Sequence, residues 1–344
     1  MKRPRVSVVT PTKNRLALLR ETIASVQAQD FADWELIVVD DGSDDGTQAE
    51  LAEIAKADPR IRFIQREGAA KGGNVCRNLG LNAARSELIV LLDSDDLLRP
   101  HCLGGRVAVM DRNRDLDFAV FGSAAFRQVP GDLAAVAIND PFGDALLRFL
   151  SFDTPWIITG PVWRKSALER LGGLDEALPS WQDVDLHIRA LASGARHLRF
   201  ADIDHDIRWQ FEHEKVSILQ RRSLEHLRAA IAMLAGFEAA VRQGPGMDWT
   251  RQRAICGLYF FVSELMVQAG SLRDAIKSWR VARGRGLAPG GLFIAGLGLL
   301  LVIKSRLLGK VMTARILHKW KGWVRFRINP ELVDAGPSIK PQTR

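Results

Sequence analysis

The sequence is poor in cysteine, and its cysteines are widely spaced. Cys76, Cys102 and Cys256 are the three in 344 residues, and none belongs to a Cys-x-x-Cys pair. A disulfide framework or a cysteine zinc site would need paired or closely spaced cysteines, so neither is indicated. This usage is typical of a reducing cytoplasm, and we expect a cytoplasmic protein.

A secretory signal is also missing from the amino-terminal residues. The apolar stretch that follows Arg5 is short, and the polar residues 10–15 interrupt it. A signal peptide needs a longer apolar segment, so we expect that the protein is not exported.

Residues 1–303 carry no net charge. Residues 304–344 hold 10 of the 48 Lys and Arg and 2 of the 40 Asp and Glu, a net +8 that equals the charge of the whole chain. The basic character therefore belongs to this tail. No nucleic-acid-binding motif accompanies it, and we predict no nucleic-acid partner.

Apolar runs and helical spacings alternate over the first hundred residues. The predicted strands lie at 6–10, 35–39, 61–65 and 88–92, and the predicted helices at 16–29, 49–57 and 73–84. Because parallel strands need helical crossovers, this alternation predicts an α/β fold with a doubly wound, mainly parallel sheet.

Three carboxylates follow the predicted strand at 88–92. Asp93, Asp95 and Asp96 repel one another unless a cation or hydrogen-bond donors neutralise them. Oxygen ligands of this kind suit Mg²⁺ or Mn²⁺. The alternative is that Asp95 or Asp96 caps a short helix that begins near Leu97.

A second acidic loop, at 40–46, follows the predicted strand at 35–39. A calcium loop is excluded because Ala52 stands where the twelfth-position Glu would be needed. A phosphorylatable acidic pocket would need a lysine at a later strand end, which we do not identify, and a solvated Asp-Gly turn stays open. The carboxyl ends of parallel strands meet at one edge, so we expect Asp40 and Asp41 to share a crevice with the other acids.

Four segments resemble family 2 glycosyltransferases in motif and in order. They are Val-Ser-Val-Val-Thr-Pro-Thr-Lys-Asn-Arg at 6–15, Val-Val-Asp-Asp-Gly-Ser-Asp-Asp-Gly-Thr at 38–47, Lys-Gly-Gly-Asn-Val-Cys-Arg-Asn-Leu-Gly at 71–80 and Leu-Leu-Asp-Ser-Asp-Asp at 91–96. The resemblance covers roughly residues 5–217. It implies the GT-A fold, a nucleotide-diphosphate-sugar donor, a divalent metal and inversion at the anomeric carbon.

The resemblance also implies a donor site. Its residues would be Pro11, Asn14, Arg15, Asp40, Asp41, Arg77 and Asp93. Asp41 would accept a hydrogen bond from the base, and Arg77 would meet the base or the diphosphate. Asp95 would ligate Mn²⁺ or Mg²⁺. The alternative is that Arg77 and Asn78 only occupy a helix surface.

The acceptor half resembles the family at 159–165, at 171–176 and in Trp-Gln-Asp-Val-Asp-Leu at 181–186. The last segment corresponds to the family's Glu-Asp motif, with Gln182 in place of the Glu. The resemblance implies that Asp183 is the general base, whereas from the residues alone the favoured interpretation of Asp183 is a helix N-cap. Asp185 is a poorer candidate.

Residues 208–217 resemble the family's closing Arg and His-x-x-x-Ser pattern. This implies that His213 is a further metal ligand. A solvated loop histidine is the equal alternative, because Glu212 and Glu214 flank it.

The last third of the chain is predicted to be helical, at about 222–242, 250–269 and 271–283. We divide the chain into a catalytic domain at 1–220, a helical region at 221–285 and an apolar and basic tail at 286–344. These regions leave oligomerisation open.

The 17 uncharged residues at 287–303 would span roughly 25 Å as a helix, less than a hydrocarbon core of roughly 30 Å. We predict a re-entrant, interfacial or buried helix there. Residues 304–327 resemble a basic amphipathic helix, which predicts peripheral contact with the inner membrane face. The alternative is a solvated helix packed on its own domain.

Together these features predict a metal-assisted, inverting glycosyltransferase that uses a UDP- or dTDP-sugar. The acceptor would be a hydroxyl of a polysaccharide or glycolipid. The alternative is a catalytically inert protein that binds a nucleotide sugar or a partner, for which Gln182 is the one hint.

Overall fold

The computed structural model describes residues 3–133, 137–138, 143–208 and 223–305. The strands in this part of the chain are β1 (Val6–Thr12), β2 (Trp34–Asp40), β3 (Ile61–Gln65), β4 (Leu88–Leu91), β5 (Leu97–Leu98), β6 (Phe118–Phe126), β7 (Ala137–Ile138), β8 (Pro161–Arg164) and β9 (His197–Arg208). The helices are α1 (Leu16–Gln27), α2 (Thr47–Ala57), α3 (Gly73–Ala83), α4 (Cys102–Arg112), α5 (Ala145–Leu150), α6 (Lys165–Arg170), α7 (Gln182–Ala192), α8 (Leu224–Gln243), α9 (Trp249–Gln268), α10 (Leu272–Gly284) and α11 (Gly290–Ser305).

One sheet joins these strands in the order β3-β2-β1-β4-β8-β6-β9-β5, with β7 paired to β6. The first four strands in this order are parallel, which confirms the parallel part predicted from the sequence. Beyond β4 the sheet becomes mixed, because β8 runs antiparallel to both β4 and β6, and β5 runs antiparallel to β9. The all-parallel part of the sheet therefore ends at β4.

The central strands are buried on both faces. In β1 and β2, Val9 and Ile37 belong to one hydrophobic core and Val8 and Leu36 to the other. Helix α3 lies close against β1, because a Cβ added at Gly80 would come within 2.3 Å of Val9 Cγ1. The buried side chains of helices α8 to α11 belong to the first of these cores, so the helical region and the sheet share one hydrophobic core.

The predicted alternative of a short helix near Leu97 is wrong. Leu97 and Leu98 form β5 and pair with Asp206 and His205 of β9. Asp96 caps no helix, since its carboxylate accepts hydrogen bonds from the side chain of Thr159 and the backbone of β9. The acids at 93–96 therefore lie on a turn between two strands.

Helix α11 occupies the apolar stretch at 287–303 that the sequence shows. It lies against α10, where Trp279 Nε1 donates a hydrogen bond to the carbonyl oxygen of Phe293 at 2.9 Å. None of the helices in the described ranges is long and apolar enough to cross a membrane.

A buried ion pair fastens α4 to β9. The Arg106 side chain is fully buried, and two of its nitrogens lie 2.7 and 2.9 Å from the carboxylate oxygens of Asp204. Its third nitrogen donates to the carbonyl oxygen of Thr159 at 2.9 Å. Burial alone would raise the pKa of Asp204, but the Arg106 guanidinium outweighs it and holds that pKa below its usual range.

We expect Arg106→Met to lower the free energy of unfolding by about 3–5 kcal/mol, because it leaves the Asp204 carboxylate buried without its cation. Urea unfolding followed by circular dichroism measures this loss. Arg20→Met is the control, since Arg20 and Glu50 form an exposed pair on the surface. That control should cost much less stability than Arg106→Met, because water screens the exposed pair. Equal losses in the two variants would contradict the prediction.

Candidate active site

The carboxyl ends of β1, β2 and β4 lie side by side at one edge of the sheet. The chain that leaves β1 supplies Arg15, whose Nη1 lies 2.9 Å from Asp95 Oδ2 in the turn after β4. Helix α3 supplies Arg77, which pairs with Asp93. The structure therefore brings four of the predicted donor-site and metal-site residues into one cluster.

The loop at 40–46 is held by its own side chains and by the end of β1. Asn14 has a φ of 50°, its N–H donates to Ser43 Oγ at 2.9 Å, and its Oδ1 accepts from the N–H of Asp44 at 2.9 Å. Asp45 Oδ2 accepts from the N–H of Leu16 at 3.0 Å, the first residue of α1. Hydrogen bonds therefore order the loop against Asn14 and the start of α1, while Asp44 and Asp45 are exposed.

Asp40 lies inside this loop. Its carboxylate is buried and accepts hydrogen bonds from the N–H of Ser43 at 3.0 Å and from Gln48 Nε2 at 2.9 Å. These contacts give Asp40 a part in holding the loop. Its predicted contact with the nucleotide stays a prediction.

Asp41, the next residue, makes its contacts outside the loop at 40–46. Its carboxylate pairs with Arg66, accepts from the N–H of Gly72 at 3.2 Å and lies 3.9 Å from Lys13 Nζ. Arg66 also donates to the carbonyl oxygen of Gly68 at 2.7 Å, so it holds the loop before α3. The sequence analysis did not identify Arg66, although it directly follows β3 and thus lies at the same sheet edge as the acids.

The acids after β4 differ in their surroundings. Burial raises the pKa of Asp95, and the nearby charge of Asp93 raises it further. Burial raises the pKa of Asp96 well above its usual range, while Thr159 Oγ1 donates to its Oδ2 at 2.8 Å. Asp96 thus supports the turn from within, and Asp93 and Asp95 are the acids that face the edge cluster.

These residues fit a divalent metal that is shared with a substrate. The described residues contain no group of three or more His, Cys, Asp or Glu side chains that could hold a metal alone. Mg²⁺ and Mn²⁺, however, need only one or two carboxylates when substrate phosphates complete their shell. The raised pKa of Asp95 reflects unfavourable negative charge that such a cation would offset. The predicted ligand His213 lies outside the described residues.

Arg77 also has an unused donor at this edge. The residue is 7% exposed, and its Nε has no hydrogen-bond partner among the described residues. Thr12 Oγ1, at the carboxyl end of β1, is likewise buried without a partner there. Buried donors of this kind are costly unless a bound molecule satisfies them, which favours a binding site over a helix-surface role for Arg77.

Helix α3 connects this cluster to the loop ahead of α7. Asn78 Nδ2 donates to the carbonyl oxygen of Leu174 at 2.9 Å, and its Oδ1 accepts from the N–H of the same residue at 2.9 Å. Asn74 Nδ2 donates to the carbonyl oxygen of Asp175 at 2.6 Å. Gly173, with a φ of 71°, leaves room for this contact, since a Cβ there would lie 2.7 Å from Asn78 Oδ1.

For the glycosyltransferase activity predicted from the sequence, we expect Asn78→Ala to lower the turnover number about tenfold while leaving donor affinity unchanged, because the loop that leads into α7 loses its hold. Steady-state kinetics and calorimetric titration of the donor nucleotide separate the two effects. Asn82→Ala is the matched control, one helical turn further on the exposed side of α3. A drop in donor affinity as large as the drop in turnover would contradict the role of Asn78.

Helix α7 presents Asp183 in its first turn. The N-cap position is Trp181, with a φ of 58°, so the alternative that Asp183 is the N-cap is wrong. Asp183 is half-buried. Asp185 is buried, and its Oδ2 lies 2.7 Å from Arg189 Nη2. Arg189 in turn donates to the carbonyl oxygen of Leu171 at 2.8 Å, so Asp185 belongs to the scaffold of this loop.

The rest of α7 anchors it in the core. His187 is fully buried and stacks on Trp163 with ring centroids 5.9 Å apart. Burial lowers the pKa of His187 to about 3, so it is a neutral packing residue at neutral pH and not an acid or base.

Arg208, at the end of β9, ties several parts of the site together. Its Nε donates to the carbonyl oxygen of Asp95 at 3.2 Å, and its guanidinium pairs with Glu21 of α1. The guanidinium carbon also lies 4.5 Å from the centre of the Phe126 ring. The turn that carries Asp95 is therefore fixed from α1 and β9 as well as from β4.

Comparison with known proteins agrees with this geometry. The model of glycosyl transferase family 2 matches residues 7–166. An uncharacterised glycosyltransferase of Methanocaldococcus jannaschii, MJ1057, is 30% identical over 195 residues, which cover 56% of this chain and 67% of that protein. The chain belongs to glycosyl transferase family 2. The resemblance found in the sequence motifs is thereby confirmed.

One further sequence relative and one solved structure are informative. The GalNAc(5)-diNAcBac-PP-undecaprenol beta-1,3-glucosyltransferase of Campylobacter jejuni is 38% identical over 121 residues, which cover 35% of this chain. This family 2 chain spans only 38% of the length of that relative. Residues 1–349 of TarS from S. aureus, solved in complex with UDP-GlcNAc, superpose with a TM-score of 0.62 at 18% identity, covering 93% of this chain and 92% of that one. The predicted GT-A fold with a helical carboxyl-terminal extension is confirmed.

Proposed function

We propose that this family 2 protein is an inverting glycosyltransferase that moves a sugar from a nucleotide-diphosphate sugar to a hydroxyl group of a glycolipid or polysaccharide. The observation that carries the proposal is the edge cluster, in which Arg77 and Arg15 hold Asp93 and Asp95. Two cations and two acids at the carboxyl edge of a parallel sheet suit a ligand that has both a phosphate and a sugar.

In the reaction, Asp183 takes the proton of the acceptor hydroxyl as its oxygen attacks the anomeric carbon. The bond between that carbon and the diphosphate oxygen breaks on the opposite side, so the configuration inverts. Arg77 and Arg15 lie beside the acids where the diphosphate leaves, and they stabilise its charge. A bound Mg²⁺ or Mn²⁺, held by Asp95 with Asp93 nearby, would add charge neutralisation.

The donor and acceptor classes follow from the relatives. We propose a uridine or thymidine diphosphate sugar, supported by the UDP-GlcNAc complex of the TarS structure. A lipid-linked glycan is the favoured acceptor, since the Campylobacter relative is named for a PP-undecaprenol glycan.

Titration of UDP, dTDP, GDP and ADP into the protein, with and without Mn²⁺, tests the donor site. We expect UDP or dTDP to bind more tightly than the purine nucleotides, and more tightly with Mn²⁺ than without it. Failure of all four nucleotides to bind would contradict the proposal. Binding of a UDP-sugar without hydrolysis or transfer would instead favour the inert nucleotide-sugar-binding alternative, in which Gln182 replaces a needed acid.

A further inference from the structure

Helix α11 buries only one of its faces. Leu299 and Leu300 point into the shared core, and Gly296 lies so close to α10 that a Cβ there would come within 2.6 Å of Trp279 Nε1. On the other face, Ile294 is 70% exposed and Leu301 is 52% exposed. These two side chains are seven residues apart, so two helical turns bring them onto one stripe.

This stripe is apolar along the whole helix. Between Ile294 and Leu301 it continues through the exposed residues Ala295 and Gly298, and it ends at the exposed Lys304. No charged residue occurs from Leu287 to Ile303. Large apolar side chains that are exposed singly are ordinary on protein surfaces, but an aligned pair on an uncharged helix indicates a surface that meets something apolar.

The sequence that follows supplies the matching charge. Residues 304–344 carry 10 Lys or Arg and 2 Asp or Glu, whereas residues 1–303 are balanced. An apolar helix face next to concentrated basic residues is the combination with which proteins bind anionic lipid surfaces. We propose that the exposed face of α11, which we call the α11 face, docks on an anionic lipid bilayer.

A second copy of the chain is the less favourable occupant. Two copies joined through the α11 face would bring two segments of net +8 close together, and their charges would repel. The face also offers only two large apolar side chains, Ile294 and Leu301, which is small for a stable protein interface. An anionic bilayer would instead attract the positive charge of residues 304–344.

Vesicle flotation of the full chain tests this docking without relying on enzymatic activity. The vesicles contain either phosphatidylcholine alone or phosphatidylcholine with phosphatidylglycerol. We expect binding to the anionic vesicles at low salt, weaker binding at high salt and little binding to the neutral vesicles.

The variant that tests the face is Ile294→Asn combined with Leu301→Asn. It should bind anionic vesicles at least about tenfold more weakly, because the apolar side chains no longer enter the lipid. Leu198→Asn is the control, since Leu198 is an exposed apolar residue at the start of β9 and is 43% exposed. UDP binding and thermal unfolding should be the same in both variants as in the parent, which shows that the fold is kept.

Three outcomes would overturn the proposal. The first is that the parent protein fails to float with anionic vesicles, and the second is that the double variant floats as well as the parent. In the third, light scattering shows that the parent is an oligomer and that the double variant is a monomer, which assigns the α11 face to contact between copies. If the parent protein binds no nucleotide, the proposed function is contradicted, but the vesicle flotation result still tests the α11 face.

Discussion

Asp183→Asn should lower the turnover number about 10²-fold or more, with donor affinity near that of the parent. The amide has the size of the carboxylate but cannot take the proton of the acceptor hydroxyl. Asp183 lies in the first turn of α7 and belongs to neither the Arg77–Asp93 nor the Arg15–Asp95 ion pair, so the donor contacts should persist. Initial rates at saturating donor and acceptor, with calorimetric donor titration, measure the two effects.

Asp185→Asn provides the matched control for this substitution. Asp185 is buried and paired with Arg189, which holds the loop before α7, so its loss should lower turnover by no more than about tenfold, far less than the loss expected for Asp183→Asn. An unchanged rate in Asp183→Asn would remove the general base from this position. A similar rate loss in both variants would instead show that the acids act together through the structure of the loop.

The regular first half of the fold follows from local pattern. The strands β1 to β4 and the helices α1 to α3 begin and end within about two residues of their expected positions, because burial on both sheet faces gives aliphatic runs. The strand β9 carries no such pattern. Asp204 and Asp206 within it are stabilised by Arg106 and Arg99 from distant positions, and such pairing cannot be read from the local sequence.

The site residues also divide into those that local sequence predicts and those that depend on contacts distant in the sequence. Acids that directly follow strands predicted the edge cluster, since parallel topology brings those ends together. The sequence could not show that Asp40 is turned into its own loop, or that Asn78 reaches the loop at 171–176 from nearly a hundred residues away. The Gly-Gly pair at 172–173 was a usable signal for a special backbone there, because both glycines have positive φ and a side chain at Gly173 would meet Asn78.

Asp95→Ala should abolish the activity that depends on Mn²⁺, a loss of about 10²-fold or more, while the fold stays intact. The Arg208 side chain donates to the backbone carbonyl of Asp95, and this contact survives the substitution. Burial and the charge of Asp93 raise the pKa of Asp95, so the charged carboxylate is unfavourable in the folded state. Removing it should therefore leave the Tm unchanged or higher.

Rates measured over a range of Mn²⁺ concentrations, with the Tm of each variant, check this result. Asp44→Ala is the control, because Asp44 is an exposed acid in the neighbouring loop at 40–46 and contributes its backbone N–H to Asn14. That variant should keep its dependence on Mn²⁺. Activity of Asp95→Ala that equals the parent and persists in the presence of a chelator would show that Asp95 holds no metal. A large fall in Tm would show that the Asp95 carboxylate stabilises the fold. A carboxylate whose role is to bind a metal should instead destabilise the protein when no metal is bound.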